Sequence, residues 1–184
     1  AGSTAYADAI ITYLAFALDK CLDYWSTICT WDSSWGKIRN VFARQAIPMS
    51  WDFAEENPFS RSNGTWMSRI NGIAKALSQL PCNNFGLVAQ RDASARISEV
   101  GKCVISTDPP YYDNIGYADL SDYFYVWLRQ NVKEIWPDEC ATLLTPKVEE
   151  LIANMYRAGS KALANQHFEL GMEGVFTKAA ENCD

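Results

Sequence analysis

Four consecutive residues, Asp108-Pro109-Pro110-Tyr111, place a carboxylate, two rigid imide units and an aromatic ring directly after the apolar run Val104-Ile105-Ser106-Thr107. An exocyclic amino nitrogen on a planar heterocycle is a poor nucleophile, because its lone pair is delocalised into the ring. Hydrogen-bond acceptors aimed at its two N–H groups oppose that delocalisation. Asp108 offers a carboxylate, and Pro109 offers a main-chain carbonyl in a backbone whose φ is fixed and whose competing N–H donors are removed by the consecutive prolines. Tyr111 offers a stacking face: a base turned out of its duplex must be held against an aromatic or apolar surface, and such stacking is worth about 1–3 kcal/mol. As a bare tetrapeptide the run reads more readily as a rigid turn after a strand, with Tyr111 packed into the core. Its position tips the balance, since ligands in open α/β sheets bind beyond the carboxyl ends of strands.

Two β-prone runs deliver the motif, Phe85-Gly86-Leu87-Val88-Ala89-Gln90 and Lys102-Cys103-Val104-Ile105-Ser106-Thr107, and these are the strands the sequence predicts. Around them the periodicity is helical. Tyr6, Ile10, Tyr13, Leu14, Ala17, Leu18 and Cys21 recur at spacings of three and four, with Ser3 or Thr4 available as a cap. Trp25 to Asn40 reads as an ordered, aromatic-rich loop, and Ser60 to Gly64 as an exposed turn. Pro48 and Pro58 keep any helix between residues 41 and 60 short. Helical spacing returns over Thr65 to Leu80 and Asp119 to Val132, and two further helical segments are expected after Pro146 and Gly159.

Composition narrows the function classes. Nearly half of the 184 residues are hydrophobic, enough for a sizeable core, and no apolar run approaches the roughly 20 residues of a membrane span. With no basic region ahead of an apolar stretch at its start, the chain is expected to be cytoplasmic and free of any membrane. Six scattered cysteines without a C-x-x-C pair argue for buried free thiols rather than zinc, and the single His167 leaves little for a triad or a two-histidine metal site. No metal is expected. Asp113, Asp119 and Asp122 fit solvated loop and cap positions better than a cation site. Arg39, Arg44, Arg61 and Arg69 are interleaved with acids and read as ordinary surface residues, while the aromatic stripe from Tyr123 to Trp127 reads as core packing. A net charge of -6 argues against a surface that grips many phosphates, so a nucleic-acid substrate would need a separate basic region to hold it.

The motif and its flanks resemble a known family. Asp-Pro-Pro-Tyr is the catalytic motif of amino-group DNA methyltransferases, and its acidic first residue resembles adenine-N6 enzymes more than cytosine-N4 ones. The run Thr107-Asp108-Pro109-Pro110-Tyr111-Tyr112-Asp113-Asn114-Ile115-Gly116-Tyr117-Ala118-Asp119-Leu120-Ser121-Asp122 looks like the large adenine-specific DNA methylases that carry a domain of unknown function at their start. Ala43-Arg44-Gln45-Ala46-Ile47-Pro48-Met49 and Leu143-Leu144-Thr145-Pro146-Lys147 look like the same family, so the resemblance extends over most of the chain.

That resemblance implies methyl transfer from S-adenosylmethionine to adenine N6 of a flipped base in DNA. Asp108 and the Pro109 carbonyl would bind the amino group, with Pro110 stiffening the backbone, and Tyr111 would stack on the base. Tyr112 to Tyr117 would form the adjoining active-site loop, with Tyr112, Asn114 and Tyr117 as further substrate contacts. Asp92 is similar in placement to an acid that contacts the cofactor in such folds, and Asp108 would border the same site; without the resemblance, Asp92 reads as a turn or cap residue. The implied fold is a helix-rich α/β chain, with a helical lobe over residues 1–84 and a partial Rossmann-like methyltransferase sheet over residues 85–184. The family's Gly-rich cofactor loop has no counterpart, because no G-x-G occurs in the sequence. Its cofactor strands are therefore expected on upstream or partner polypeptide, and the chain is expected to be a fragment with an incomplete S-adenosylmethionine site. A non-catalytic remnant or interaction module, or methylation of RNA or a protein amide, are the alternatives that the residues leave open.

Overall fold

The computed structural model describes residues 2–47, 49–51, 53–62, 64–81, 86, 88–94 and 103–183. It is helix-rich: α1 (Gly2–Leu22), α2 (Trp66–Gln79), α3 (Tyr117–Val132), α4 (Met155–Ala158) and α5 (Lys161–Asn182) dominate, and a two-stranded antiparallel sheet pairs β1 (Trp31–Asp32) with β2 (Lys37–Ile38). No helix among the described residues is long and apolar enough to cross a membrane.

The chain divides into two compact units. The first comprises residues 1–86 and 120–145, the second residues 87–119 and 146–184. In the first, α1 packs on α2, and Ala15, Val132 and Cys140 form a small buried cluster with Leu128 against it. Polar ties fix the rest: the Tyr123 hydroxyl donates to the Leu22 carbonyl at 2.9 Å, and the Trp136 indole N–H donates to Thr12 Oγ1 at 2.9 Å. Phe42 meets the rings of Tyr123 and Phe124 at 5.5 and 5.3 Å, so the front of the aromatic stripe is packed as expected, whereas Trp127 is exposed. Arg39 pairs with Asp32 across the small hairpin, and Arg69 lies over the Tyr24 ring.

Several expectations are corrected. Ser3 and Thr4 lie inside α1 rather than capping it. The stretch read as a loop between Trp25 and Asn40 contains the β1–β2 hairpin, whose two-residue strands are too short to show a period; Asp32 starts its turn by accepting the Ser34 N–H at 3.1 Å. The described parts of the two β-prone runs, residues 86, 88–90 and 103–107, form no strand; Phe85, Leu87 and Lys102 lie outside the described residues. A strand is stabilised by a ladder partner, and here Cys103 N–H instead donates to the Asn182 carbonyl at the end of α5, at 2.9 Å, while Val104 is left 96% exposed. After Pro146 the chain runs non-helically until the single turn of α4, because Asn154 first caps that turn by accepting the Tyr156 and Arg157 N–H groups. Gly159 then stops α4 in the left-handed region at φ 82°, and Ser160 caps α5 by accepting the Leu163 N–H.

Two positions give direct tests of this packing. In α5, a Cβ built on Gly171 would overlap Leu151 Cδ2 and come within 3.2 Å of Leu151 Cγ, whereas one built on Gly174 would make an ordinary 3.8 Å contact with Ser94. Gly174→Ala should therefore stabilise the chain by roughly 0.5–1 kcal/mol through helix propensity, and Gly171→Ala should lose that gain to overpacking. Denaturant unfolding of the two variants is the measurement. Equal stabilisation by both would contradict the placement of Leu151.

Asp19, in α1, has Oδ1 buried without a hydrogen-bond partner, and burial pushes its carboxyl up from 3.8 to about 6. A folded-state value above the unfolded one means that the contribution is fully present below pH 3.8 and is lost as pH rises through about 6. Asp19→Asn is thus expected to raise stability at pH 7.5 by on the order of 1 kcal/mol, after discounting for solvent screening at a half-buried site. Its advantage over wild type should shrink at pH 5 in paired thermal melts.

Candidate base pocket around Asp108

The motif lies wholly in the second unit. Asp108, Pro109 and Pro110 line an open cleft of about 940 Å³, and Asp92, Tyr117 and Glu150 contribute to the same cleft. Asp108 is exposed on it. The Tyr111 hydroxyl donates to Asp108 Oδ1 at 3.1 Å, and this bond to the carboxylate pushes the phenol above its ordinary value, so it remains a donor at neutral pH. The Tyr111 ring is 50% exposed and meets Tyr117 edge-on at 6.4 Å. The acid and the stacking ring expected from the sequence are therefore held side by side by a hydrogen bond between them.

A tight turn follows. Asn114 N–H donates to the Tyr111 carbonyl at 3.1 Å, and Tyr112 takes φ 57°, a left-handed conformation that disfavours bulky side chains and persists only where its surroundings hold it. Two contacts do so: the Tyr112 carbonyl accepts the Ala153 N–H at 2.9 Å, and the Tyr112 ring packs edge-on against Phe168 of α5 at 4.8 Å. Tyr112 thus anchors the turn, while Tyr111 and Tyr117 face each other. Asn114 is exposed, and its backbone closes the turn.

The start of α3 is fixed by residues that sequence reasoning did not single out. Glu150 Oε1 accepts the Ala118 N–H at 2.9 Å, capping the helix from outside its own segment, and Glu150 Oε2 pairs with Arg157 at 2.6 Å. Arg157 also pairs with Asp119 at 2.5 Å and donates to the Lys147 carbonyl at 3.1 Å. One planar guanidinium therefore ties α4, the 147–150 segment and the first turn of α3, which carries Tyr117. The sequence gives no local signal for this bond set, because its partners are 38 and 7 residues from Arg157. His167 sits 3.3 Å from the Glu150 carbonyl and is surface-exposed.

Asp92 shares the cleft with Asp108, but Asp92 Oδ1 accepts both the Ser94 N–H and the Ser94 hydroxyl at 2.8 Å. Those bonds hold its carboxyl below the usual value, so it is an anion in the cleft and at the same time a turn former. Among the described residues no group of three or more His, Cys, Asp or Glu side chains is placed to hold a metal ion. Cys21, Cys29, Cys103, Cys140 and Cys183 are free thiols, the first two and Cys140 buried; Cys82 lies outside the described residues. Comparison of the chain with protein families, with characterised proteins and with solved structures finds no match.

Proposed function

We propose that this chain carries the target-base pocket of an S-adenosylmethionine-dependent methyltransferase acting on the exocyclic N6 of adenine in DNA. The observation that carries the reading is the pairing of Asp108 and Tyr111 at a cleft that Pro109 also lines, an acceptor set beside a half-exposed ring. A flipped adenine stacked on Tyr111 would turn its amino group to Asp108 and the Pro109 carbonyl, taking the place of the Tyr111 hydroxyl on Asp108. With both N–H groups held by acceptors, the nitrogen lone pair is localised for attack. As the nitrogen gains the methyl group it loses one proton, which Asp108 accepts and passes to solvent.

The cleft suits a cationic cofactor that carries a flat nucleobase: the carboxylates of Asp92 and Asp108 share it with the apolar side chains of Ile105, Leu151 and Met172. When bound, S-adenosylmethionine would supply a methyl group from a positively charged sulfur, which would keep the electron pair of the broken carbon–sulfur bond and leave as a neutral thioether. Asp92 and Asp108 would hold it there. The rest of its site, including the Gly-rich loop, we assign to upstream or partner polypeptide, as we do the basic surface that would hold DNA against a chain of net charge -6. In the same reading residues 103–107, which form no strand in the structure, would become the motif strand of a partial Rossmann-like sheet only where that polypeptide supplies a ladder partner.

The test is a competition between acceptors. The chain, joined to its cofactor-binding polypeptide, is given labelled S-adenosylmethionine with unmethylated DNA, RNA and glutamine peptides in parallel. Label recovered as N6-methyladenine from DNA supports the proposal; label on RNA or on glutamine moves the substrate class while leaving the pocket chemistry in place.

A further inference from the structure

A smaller pocket of about 270 Å³ opens beside the motif turn, walled by Asp113 and Gly116 of that turn, by Asn154 and Tyr156, and by Lys161 and Asn165 of α5. We propose that it takes the base of a nucleotide neighbouring the target adenine, an inference that rests on the reading of Asp108 and Tyr111 as a base site in DNA.

Position supports it first. Asp113 follows Tyr111 by two residues, a span of chain no longer than about 7 Å, so a strand with one nucleotide turned out onto Tyr111 carries its next base to this wall. The lining chemistry fits a base edge. Asn154 Oδ1 accepts the Tyr156 N–H at 3.0 Å and the Arg157 N–H at 3.2 Å, which leaves its Nδ2 group as the donor end. Lys161 adds donors, Asp113 adds acceptors, and Asn165 adds one of each, so the pocket holds the mixed donor and acceptor set that distinguishes one base from another. The Tyr156 ring is 89% exposed, a large aromatic surface that the packing of its own unit leaves uncovered. Aromatic rings at that exposure suit base stacking. The pocket thereby supplies a second platform and a reader, which the Asp108 cleft alone lacks for sequence context.

Equilibrium binding tests this without requiring methyl transfer. The chain, joined to the polypeptide assigned above to hold DNA, is titrated with short single-stranded oligonucleotides containing one adenine, either intact or with an abasic residue at one flanking position. Removal of one particular neighbouring base is expected to weaken wild-type binding by roughly five- to hundredfold. Tyr156→Ala, at an exposed position that does not threaten folding, is expected to lose the same factor on the intact strand and to become indifferent to that abasic site. Asn165→Ala is expected to alter the preference among the four bases there. Wild-type binding that is indifferent to every flanking abasic site, or a Tyr156→Ala variant that stays sensitive to one, overturns the inference while the adenine pocket stands. Flanking sensitivity without methyl transfer by the completed enzyme supports the inference and removes the catalytic reading. No binding to any strand overturns both.

Discussion

Replacing Asp108 by asparagine is expected to cut methyl transfer at least a hundredfold. Asparagine keeps one carbonyl acceptor but replaces a charged oxygen with an NH₂ group that cannot accept from the substrate amine. The loss falls where the nitrogen develops positive charge, and removal of one such electrostatic group costs on the order of 10²–10³ in kcat. Because the group acts in the transition state, kcat and kcat/KM for DNA should fall together. Folding should be spared, since Asp108 is exposed and its recorded side-chain bond is to Tyr111. Single-turnover kinetics under saturating cofactor make the measurement. A rate within threefold of wild type would contradict the catalytic role of Asp108.

The second large effect is at Tyr111, where alanine and phenylalanine should part company. Tyr111→Ala removes the stacking face and should weaken DNA binding by about 1–3 kcal/mol, or roughly five- to 150-fold. Tyr111→Phe keeps the face and removes the hydroxyl that occupies Asp108 Oδ1 in the free chain. A base must displace that hydroxyl to reach the carboxylate, so phenylalanine is expected to bind DNA as well as tyrosine or a few-fold better. If phenylalanine proves as damaging as alanine, the hydroxyl rather than the ring is the working part, and the stacking role is wrong.

The helices were legible because their apolar residues recur at three and four, and α1, α2 and α3 lie where that spacing predicts them. Gly159 marked the break before α5, whereas the Ser160 cap came to light only in the structure. The motif was legible as chemistry, since a carboxylate, two prolines and a tyrosine in sequence constrain one another. The Asp108–Tyr111 bond was not, because it depends on the rotamers that the following turn imposes. Nor could spacing reveal that Tyr112 points to Phe168 while Tyr111 faces Tyr117. Glu150 and Arg157 were missed for a different reason: each looks like an ordinary surface charge until the chain brings both to the start of α3. β-prone composition at Val104 and Ile105 misled because propensity describes a residue's fit to a ladder and cannot supply the neighbouring strand.

The most direct test of the central claim compares wild type with Asp108→Ala in transfer of labelled methyl groups to unmethylated DNA, followed by digestion to nucleosides. In both arms the chain is joined to the cofactor-binding polypeptide that the proposal requires. N6-methyladenine that forms with wild type and disappears in the variant is the expected result. Label that survives the loss of Asp108, or none in wild type despite measurable cofactor binding on DNA of varied sequence, would contradict the account.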